Sequence, residues 1–162
     1  MSIMITCLAI TAGGCSEDES LTGQSFAPAA QPAKEYVLEK ALLSTVDDVS
    51  HTPPGPVVTQ LTGTDEQGRD KIVWLRGDKS GKIDVVGSVL LKDGISQEQV
   101  LALLQEKGHD RHSVDQIFVA PLDNSGKQIV WRVTLHGPDQ HSFVFDFKTG
   151  ELLLENDQKM PS

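Results

Sequence analysis

Four histidines in the second half of the chain are the residues whose types and spacing most readily suggest chemistry. His109 and His112 lie on either side of Asp110, and His136 and His141 follow. Neutral imidazole is a common zinc ligand, so the four side chains could together form a metal site. The first pair, however, lies just beyond a predicted helix and lacks the i, i+4 helical spacing that presents two ligands on one face. An exposed loop accounts for these histidines as well, and we predict no metal site.

Two carboxylates and three serines are the other candidates for catalysis. Asp146 and Glu151 could act as an acid and base pair, but they flank Lys148-Thr149-Gly150, where Asp and Gly are typical of a tight turn. The candidate nucleophiles lack the Gly-x-Ser-x-Gly setting of a hydrolase; they are Ser113, Ser125 and Ser142. The chain also has no glycine loop of the phosphate-binding type. We therefore predict no catalytic residues, no cofactor and no enzymatic activity.

The two tryptophans occur in similar local settings. Ile72-Val73-Trp74 recurs as Ile129-Val130-Trp131, and each triplet follows a turn-like segment, residues 65–68 and 123–126. Repetition of a rare residue in this way indicates a duplicated module. The pair could stack on a ligand, but large aromatic side chains on strands mostly belong to the core. We predict that both tryptophans pack in the core, at matching strand positions of the two modules.

The helices that would support these modules are predicted from propensity and capping. The first is predicted over residues 33–46, which contain strong helix formers and neither Gly nor Pro, before the proline-rich segment 53–56. The second begins at Ser96, with Gln99 as the reciprocal partner of a capping box, and ends at Gly108. Its predicted apolar stripe consists of Val100, Leu103 and Leu104.

Strands follow each predicted helix. In the first half they are residues 57–64, 71–76 and 82–91, with Gly87 as a possible bulge; in the second half they are residues 114–122, 128–136, 142–147 and 151–154. Alternation such as Phe143, Phe145 and Phe147 indicates antiparallel sheets with one face against a helix and the other partly hydrated. The predicted class is α+β, with a first module at residues 33–91 and a second at residues 92–157.

Charge and the first 32 residues of the 162-residue chain bear on location and partners. A net charge of −9 argues against a nucleic-acid partner, because phosphate binding needs a basic surface. Residues 1–15 form a predicted signal or anchor segment, too short to span a bilayer as a helix. Small residues precede Cys15, which is a candidate lipidation site; the alternative is a longer signal-anchor beginning upstream of Met1. Residues 16–32 are polar and are predicted to form a flexible tether.

Cysteine usage narrows the chemistry further. Cys7 and Cys15 are the only two cysteines, and both lie within the predicted signal segment. A disulfide framework, a cysteine-rich zinc site and a cysteine nucleophile are therefore excluded from the predicted modules.

Six short motifs occur in order between residues 33 and 155. They are Thr45-Val46-Asp47-Asp48, Leu61-Thr62-Gly63-Thr64-Asp65, Ile72-Val73-Trp74-Leu75, Asp93-Gly94-Ile95-Ser96, Val130-Trp131-Arg132-Val133-Thr134 and Phe145-Asp146-Phe147-Lys148-Thr149-Gly150-Glu151. In this order they resemble the TseB-like cell-wall elongation regulators of Gram-positive bacteria. The resemblance implies two tandem cystatin-like (PepSY-like) modules and a membrane-anchored, extracytoplasmic protein without catalytic residues.

The resemblance also implies a protein partner, a penicillin-binding transpeptidase that works in wall synthesis. Contact could be made by strand addition at an open sheet edge or by docking on the hydrated sheet face between modules. A second hypothesis is that the protein inhibits or modulates a secreted peptidase, a role often suggested for PepSY domains. Co-purification from membranes would distinguish a transpeptidase partner from a peptidase.

Overall fold

The computed structural model describes residues 26–51, 57–137 and 140–158. Within them, each half contains one α-helix followed by a four-stranded antiparallel sheet, in the orders β1-β2-β3-β4 and β5-β6-β7-β8. The predicted α+β class is confirmed. The elements of the first half are α1 (Ala30–Glu39), β1 (Thr45–His51), β2 (Thr59–Thr64), β3 (Asp70–Gly77) and β4 (Ile83–Leu90); those of the second are α2 (Gln97–Glu106), β5 (Val114–Pro121), β6 (Ile129–Leu135), β7 (Gln140–Asp146) and β8 (Leu152–Gln158).

The first helix differs from its prediction at both ends. The helix predicted over residues 33–46 begins instead at Ala30 and ends at Glu39. Ala41 has a φ of 52°, in the left-handed region, which a continuing α-helix cannot accommodate. Thr45 and Val46 then pair with β2 as the start of β1, a strand absent from the prediction. Both residues are β-branched and fit a pleated sheet, and tertiary pairing outweighs the helix propensity of the residues before them.

The predicted tether also ends earlier than residue 32. Phe26 exchanges two backbone hydrogen bonds with Gly77, with N···O distances of 3.1 and 2.8 Å. The buried hydroxyl of Thr59 donates to the carbonyl of Pro28 at 2.5 Å. Residues 26–32 therefore belong to the folded part and are not a flexible tether. The predicted anchor with Cys15, residues 16–25 of the tether and the proline-rich segment 53–56 lie outside the described residues.

The second helix matches its prediction closely. The Ser96 hydroxyl accepts from the Gln99 backbone N–H at 3.3 Å, and the Ser96 N–H donates to Gln99 Oε1 at 2.8 Å, which completes the predicted capping box. Just beyond the helix, Gly108 has a φ of 90°, a conformation that favours glycine at a helix end. Val100 and Leu104 are buried as predicted, Leu103 is partly buried, and Leu101 is buried in addition.

Each helix packs on one face of the sheet that follows it. Ala33 and Val37 of α1 share a buried cluster with Leu61, Val73 and Leu75 of β2 and β3. The cluster around α2 is larger because β7 contributes aromatic rings and the first half contributes Val58, Ile72 and Trp74. It includes Val100, Leu104, Trp131, Val133, Phe143, Phe145 and Phe147.

The two tryptophans are both buried, but they do not occupy matching positions. Trp74 lies on β3, the third strand of its sheet, whereas Trp131 lies on β6, the second strand of the other sheet. Val73 and Leu75 belong to the α1 cluster, so Trp74 points away from α1, the helix of its own half. Trp131 instead packs in the cluster around α2, the helix of its own half. The predicted packing is confirmed. The predicted equivalence is wrong, because the same triplet can form a strand with either face turned toward its helix.

The turns between the third and fourth strands of the two sheets have similar hydrogen bonds. Asp78 Oδ1 accepts from the N–H and hydroxyl of Ser80 at 2.9 and 2.6 Å. Asp146 Oδ1 accepts from the N–H and hydroxyl of Thr149 at 2.9 and 3.0 Å. The glycine that follows each hydroxyl residue has positive φ, 84° at Gly81 and 73° at Gly150. These two turns connect equivalent strands of the two sheets.

The two halves are in contact through the far face of the first sheet. Trp74 and Ile72 belong to the same buried cluster as α2 and β6, and Trp74 Nε1 donates to Gln60 Oε1 at 2.9 Å. The linker contributes as well, because the Ile95 N–H donates to the Phe147 carbonyl at 2.9 Å. The pairing of β3 with β4 is irregular at Gly87, where the bulge was predicted, and a Cβ there would lie 3.3 Å from the Gly126 carbonyl oxygen.

Candidate functional site

The face of the second sheet opposite α2 carries a groove that we call the outer groove. Along β6, Trp131 and Val133 face α2, so Arg132 and Thr134 face the other way. The strand register places Phe118 beside Arg132, Val144 on its other side, and Leu154 beside Val144. The groove has a volume of about 220 Å³ and is lined by Phe118, Arg132, Val133, Thr134, Ser142, Phe143, Val144, Leu154 and Asn156.

Two polar groups of the outer groove are buried without a hydrogen-bond partner. Arg132 Nη2 donates to the Leu122 carbonyl at 3.1 Å, which fixes the guanidinium, but Arg132 Nε and Thr134 Oγ1 are both unsatisfied. None of the described residues that line the groove is acidic. Burial therefore lowers the pKa of Arg132 without a neighbouring anion to oppose the effect. An unsatisfied buried polar group costs about 1–3 kcal/mol, so two in one groove suggest that a ligand group completes them.

The rest of the outer groove is mainly apolar. Val144 is buried, Phe118 is partly buried, and Leu154 is 45% exposed although it is a large hydrophobic side chain. A fixed cationic group among apolar side chains can bind a hydrogen-bond acceptor and an attached apolar group at the same time. The arrangement therefore fits binding, and it contains no nucleophile–base pair among its lining residues.

The sequence did not single out Arg132 and Thr134, which appeared only within a motif. The alternation of β6 placed them on one face. The groove on that face, however, also requires Phe118, Val144 and Leu154 from three other strands. Strand register across a sheet cannot be read from one strand's pattern. An arginine between a valine and a threonine on one strand face, Val130-x-Arg132-x-Thr134, was the available signal.

The structure brings together two of the four histidines considered as metal ligands. The rings of His109 and His141 have centroids 6.2 Å apart, and His109 also lies 4.9 Å from the Phe143 ring. His136 Nδ1 instead lies 3.4 Å from Asp115 Oδ1, and His112 is exposed in a short helical turn. Among the described residues, no group of three or more His, Cys, Asp or Glu side chains is placed to hold a metal ion.

The carboxylates considered for catalysis serve the β7–β8 turn. Burial raises the pKa of Asp146, but hydrogen bonds from the backbone and hydroxyl of Thr149 and from the backbone of Lys148 lower it more, so the pKa lies below its usual range. Glu151 meets Asp146 through its backbone, where its carbonyl accepts from the Asp146 N–H at 2.8 Å.

Of the three serines considered, Ser113 donates to the Asp110 carbonyl, Ser125 donates to Asp123, and Ser142 lines the outer groove.

A second cleft of about 220 Å³ lies where the two halves meet. Its lining mixes charges of both signs, with Lys71, Asp93 and Lys148 beside Phe147. Lys71 Nζ already donates to the Leu42 carbonyl at 2.9 Å, so this cation is used within the fold. The outer groove is therefore the stronger candidate for recognition.

Comparison with known proteins identifies a relative among wall regulators. The chain is 32% identical over 95 residues to the "Probable cell wall elongation regulator TseB" of Bacillus subtilis (strain 168). The resemblance to the TseB-like family is confirmed. The match covers 57% of this chain and 55% of that protein, so the alignment spans about half the length of the TseB protein.

A solved structure has a fold similar to that of this chain. The YpmB protein from Bacillus subtilis superposes with a TM-score of 0.62 at 24% identity, over 80% of this chain and 98% of that chain. No protein-family model matches the chain. Within the described residues, no helix is both long and apolar enough to cross a membrane.

Proposed function

We propose that the protein is a regulator of cell-wall elongation that acts by contact with another protein, without catalysis, on the extracytoplasmic side of the membrane. The observation that carries this proposal is the 32% identity to a protein described as a cell wall elongation regulator. The absence of catalysis is part of the proposal. It is supported by the turn role of Asp146 and Glu151 and by the hydrogen bonds of Ser113 and Ser125 within local turns.

The proposed partner is a penicillin-binding transpeptidase, the partner that the family resemblance implies. Residues 1–15 would attach the chain to the membrane, either through a lipid on Cys15 or through a longer signal-anchor. The outer groove provides a surface for contact, because a partly apolar face with unsatisfied polar atoms is suited to recognition.

Removal of the gene from its own host tests the proposal. We expect the deletion to change the rate at which cells elongate, and re-expression of the full chain to restore it. Normal elongation in the deletion strain would contradict the wall-regulator function. Crosslinking of the full chain in intact cells, followed by identification of the captured protein, tests the partner: a transpeptidase supports the proposal, and a secreted peptidase supports the inhibitor alternative.

A further inference from the structure

We propose that the outer groove binds a short extended peptide segment of the partner protein through one carboxylate side chain, which Arg132 holds. Apolar side chains on either side of that carboxylate would pack against Phe118 and Leu154. This inference rests on the proposed function for the identity of the partner, and on the groove itself for the chemistry of the ligand.

The charge of the groove favours a carboxylate over a neutral group. Arg132 is cationic, it is fixed by its bond to the Leu122 carbonyl, and the lining residues that the structure describes include no acidic side chain. A water molecule could satisfy the free N–H but would leave the charge uncompensated. A carboxylate oxygen can accept from Arg132 Nε–H, and a charge-assisted bond of this kind is about twice as strong as a neutral one.

The net charge of the whole chain favours a ligand that carries few negative charges. With a net charge of −9, the protein repels a polyanion at long range, so local contacts must select the ligand. A peptide with a single acidic side chain satisfies the groove with little long-range repulsion. The apolar lining supplies the remaining affinity, because Phe118 and Leu154 retain surface that a ligand can cover.

The dimensions of the groove set the length of the segment. Phe118, Arg132, Val144 and Leu154 form a row across the four strands of the second sheet. Adjacent strands are about 4.8 Å apart, so the row is about 14 Å long, and an extended peptide covers that length with about four residues. Arg132 Nε and Thr134 Oγ1 are both covered in the free chain, so the ligand must displace a side chain above them. Leu154, at 45% exposure, is the large side chain of the row that the fold covers least.

Nuclear magnetic resonance on the full chain can observe this interaction directly, because the Nε–H group of an arginine gives its own signal. The probe is the blocked pentapeptide acetyl-Ser-Leu-Glu-Leu-Ser-amide, and its matched control has Gln in place of Glu. We expect the Arg132 Nε–H signal to move downfield and to saturate with the Glu peptide. The Gln peptide should bind about tenfold more weakly, since it offers no charge-assisted bond.

Variants assign the effect to the groove. Arg132→Gln should weaken binding of the Glu peptide about tenfold, whereas Arg76→Gln, which changes an arginine outside the groove, should leave binding unchanged. If Arg132→Gln does not fold, Arg132→Lys keeps the positive charge but lacks the Nε–H and should weaken binding several-fold. An unmoved Arg132 signal, or equal binding of the two peptides, would overturn the proposal.

A second copy of the chain is the alternative occupant of the groove. A dimer in analytical ultracentrifugation that Leu154→Asp converts to a monomer would assign the groove to self-association and overturn the peptide proposal. The wall-regulator function and the groove assignment can each be contradicted without the other. Peptide binding combined with normal elongation in the deletion strain would contradict the wall-regulator function alone, and altered elongation without peptide binding would contradict the groove assignment alone.

Discussion

At the scale of single residues, the buried Asp65 carboxylate and the partly buried Arg132 guanidinium differ in how completely they are hydrogen-bonded. Asp65 is 8% exposed and fully partnered: Arg69 Nε and Nη2 lie 2.7 and 2.6 Å from its Oδ2, and two backbone N–H groups donate to Oδ1. Arg132 has one fixed hydrogen bond and an unsatisfied Nε. The first arrangement stabilises a turn, and the second is suited to binding.

The Asp65 carboxylate should make stability depend on acid. The hydrogen bond from Arg69, strengthened by backbone bonds, lowers the pKa of Asp65 from 3.8 to about 2. Because the folded-state pKa is lowered, the stabilisation is complete above about pH 4 and is lost as the pH falls toward 2. Asp65→Asn should unfold more easily at pH 7 in urea, and its stability should change less between pH 4 and pH 2. An unchanged acid dependence in the variant would contradict this role.

Arg132 should contribute little to stability, as expected of a residue whose role is binding. Arg132→Met removes an incompletely satisfied charge and keeps an apolar chain of similar length, so the free energy of unfolding should rise or fall by no more than about 1 kcal/mol. Urea denaturation measures the change, and Arg69→Met, which leaves Asp65 without its partner, is the contrasting variant that should lose more. A loss above about 2 kcal/mol in Arg132→Met would show that Arg132 is a structural residue.

At the scale of elements, the helices and strands with strong local sequence patterns were the ones that could be predicted. The capping box at Ser96 and the period-two strands of the second half are local patterns, and the structure contains them where they were predicted. The end of α1 and the start of β1 depend on pairing with β2, which residues 33–46 alone do not encode. The outer groove was missed for the same reason, since Phe118, Arg132 and Leu154 meet only through strand register.

The capping box gives a test at this scale. Ser96→Ala removes the acceptor for the Gln99 N–H and should lower the free energy of unfolding by about 1 kcal/mol. Ser96→Asp, which retains an acceptor at the helix start, is the matched control and should lose much less. The comparison can be made by thermal or urea denaturation. Equal losses in the two variants would show that the cap contributes little to α2.

At the scale of the whole molecule, small residues allow the two halves to approach closely. A Cβ on Gly94 in the linker would meet the ring of Phe147, the residue just after β7, at less than normal contact distance. A Cβ on Gly126, which precedes β6, would likewise come too close to the backbone of Val86 in β4. The contact between the halves is therefore built into the backbone at these points as well as into the buried cluster.

A substitution at Gly94 in the linker should show how far stability depends on this close contact. Gly94→Ala should lower the free energy of unfolding by about 1–3 kcal/mol, the usual result of overpacking. Phe147→Leu makes space for the added methyl group, so the double variant should be more stable than the sum of the two single effects predicts. Strictly additive losses in a urea-denaturation cycle would contradict the close contact between Gly94 and Phe147.

Attachment to the membrane is also a property of the whole molecule. If Cys15 carries a diacyl lipid, Cys15→Ser should release the protein from membranes or leave an unprocessed precursor, because two chains give stable attachment where one is marginal. Cys7→Ser is the matched control and should remain attached. Fractionation and mobility on a denaturing gel measure both. A Cys15→Ser protein that stays in the membrane at unchanged size would favour the longer signal-anchor.

Photocrosslinking in living cells tests most directly whether the outer groove contacts the wall-synthesis machinery. A photoreactive amino acid at Leu154 would lie in the groove, and one at Leu38 of α1 is a matched control, with exposures of 45% and 40%. We expect the Leu154 position to capture a penicillin-binding transpeptidase and the Leu38 position to capture it far less. Equal capture from both positions, or a product at Leu154 that contains no wall-synthesis protein, would contradict the account.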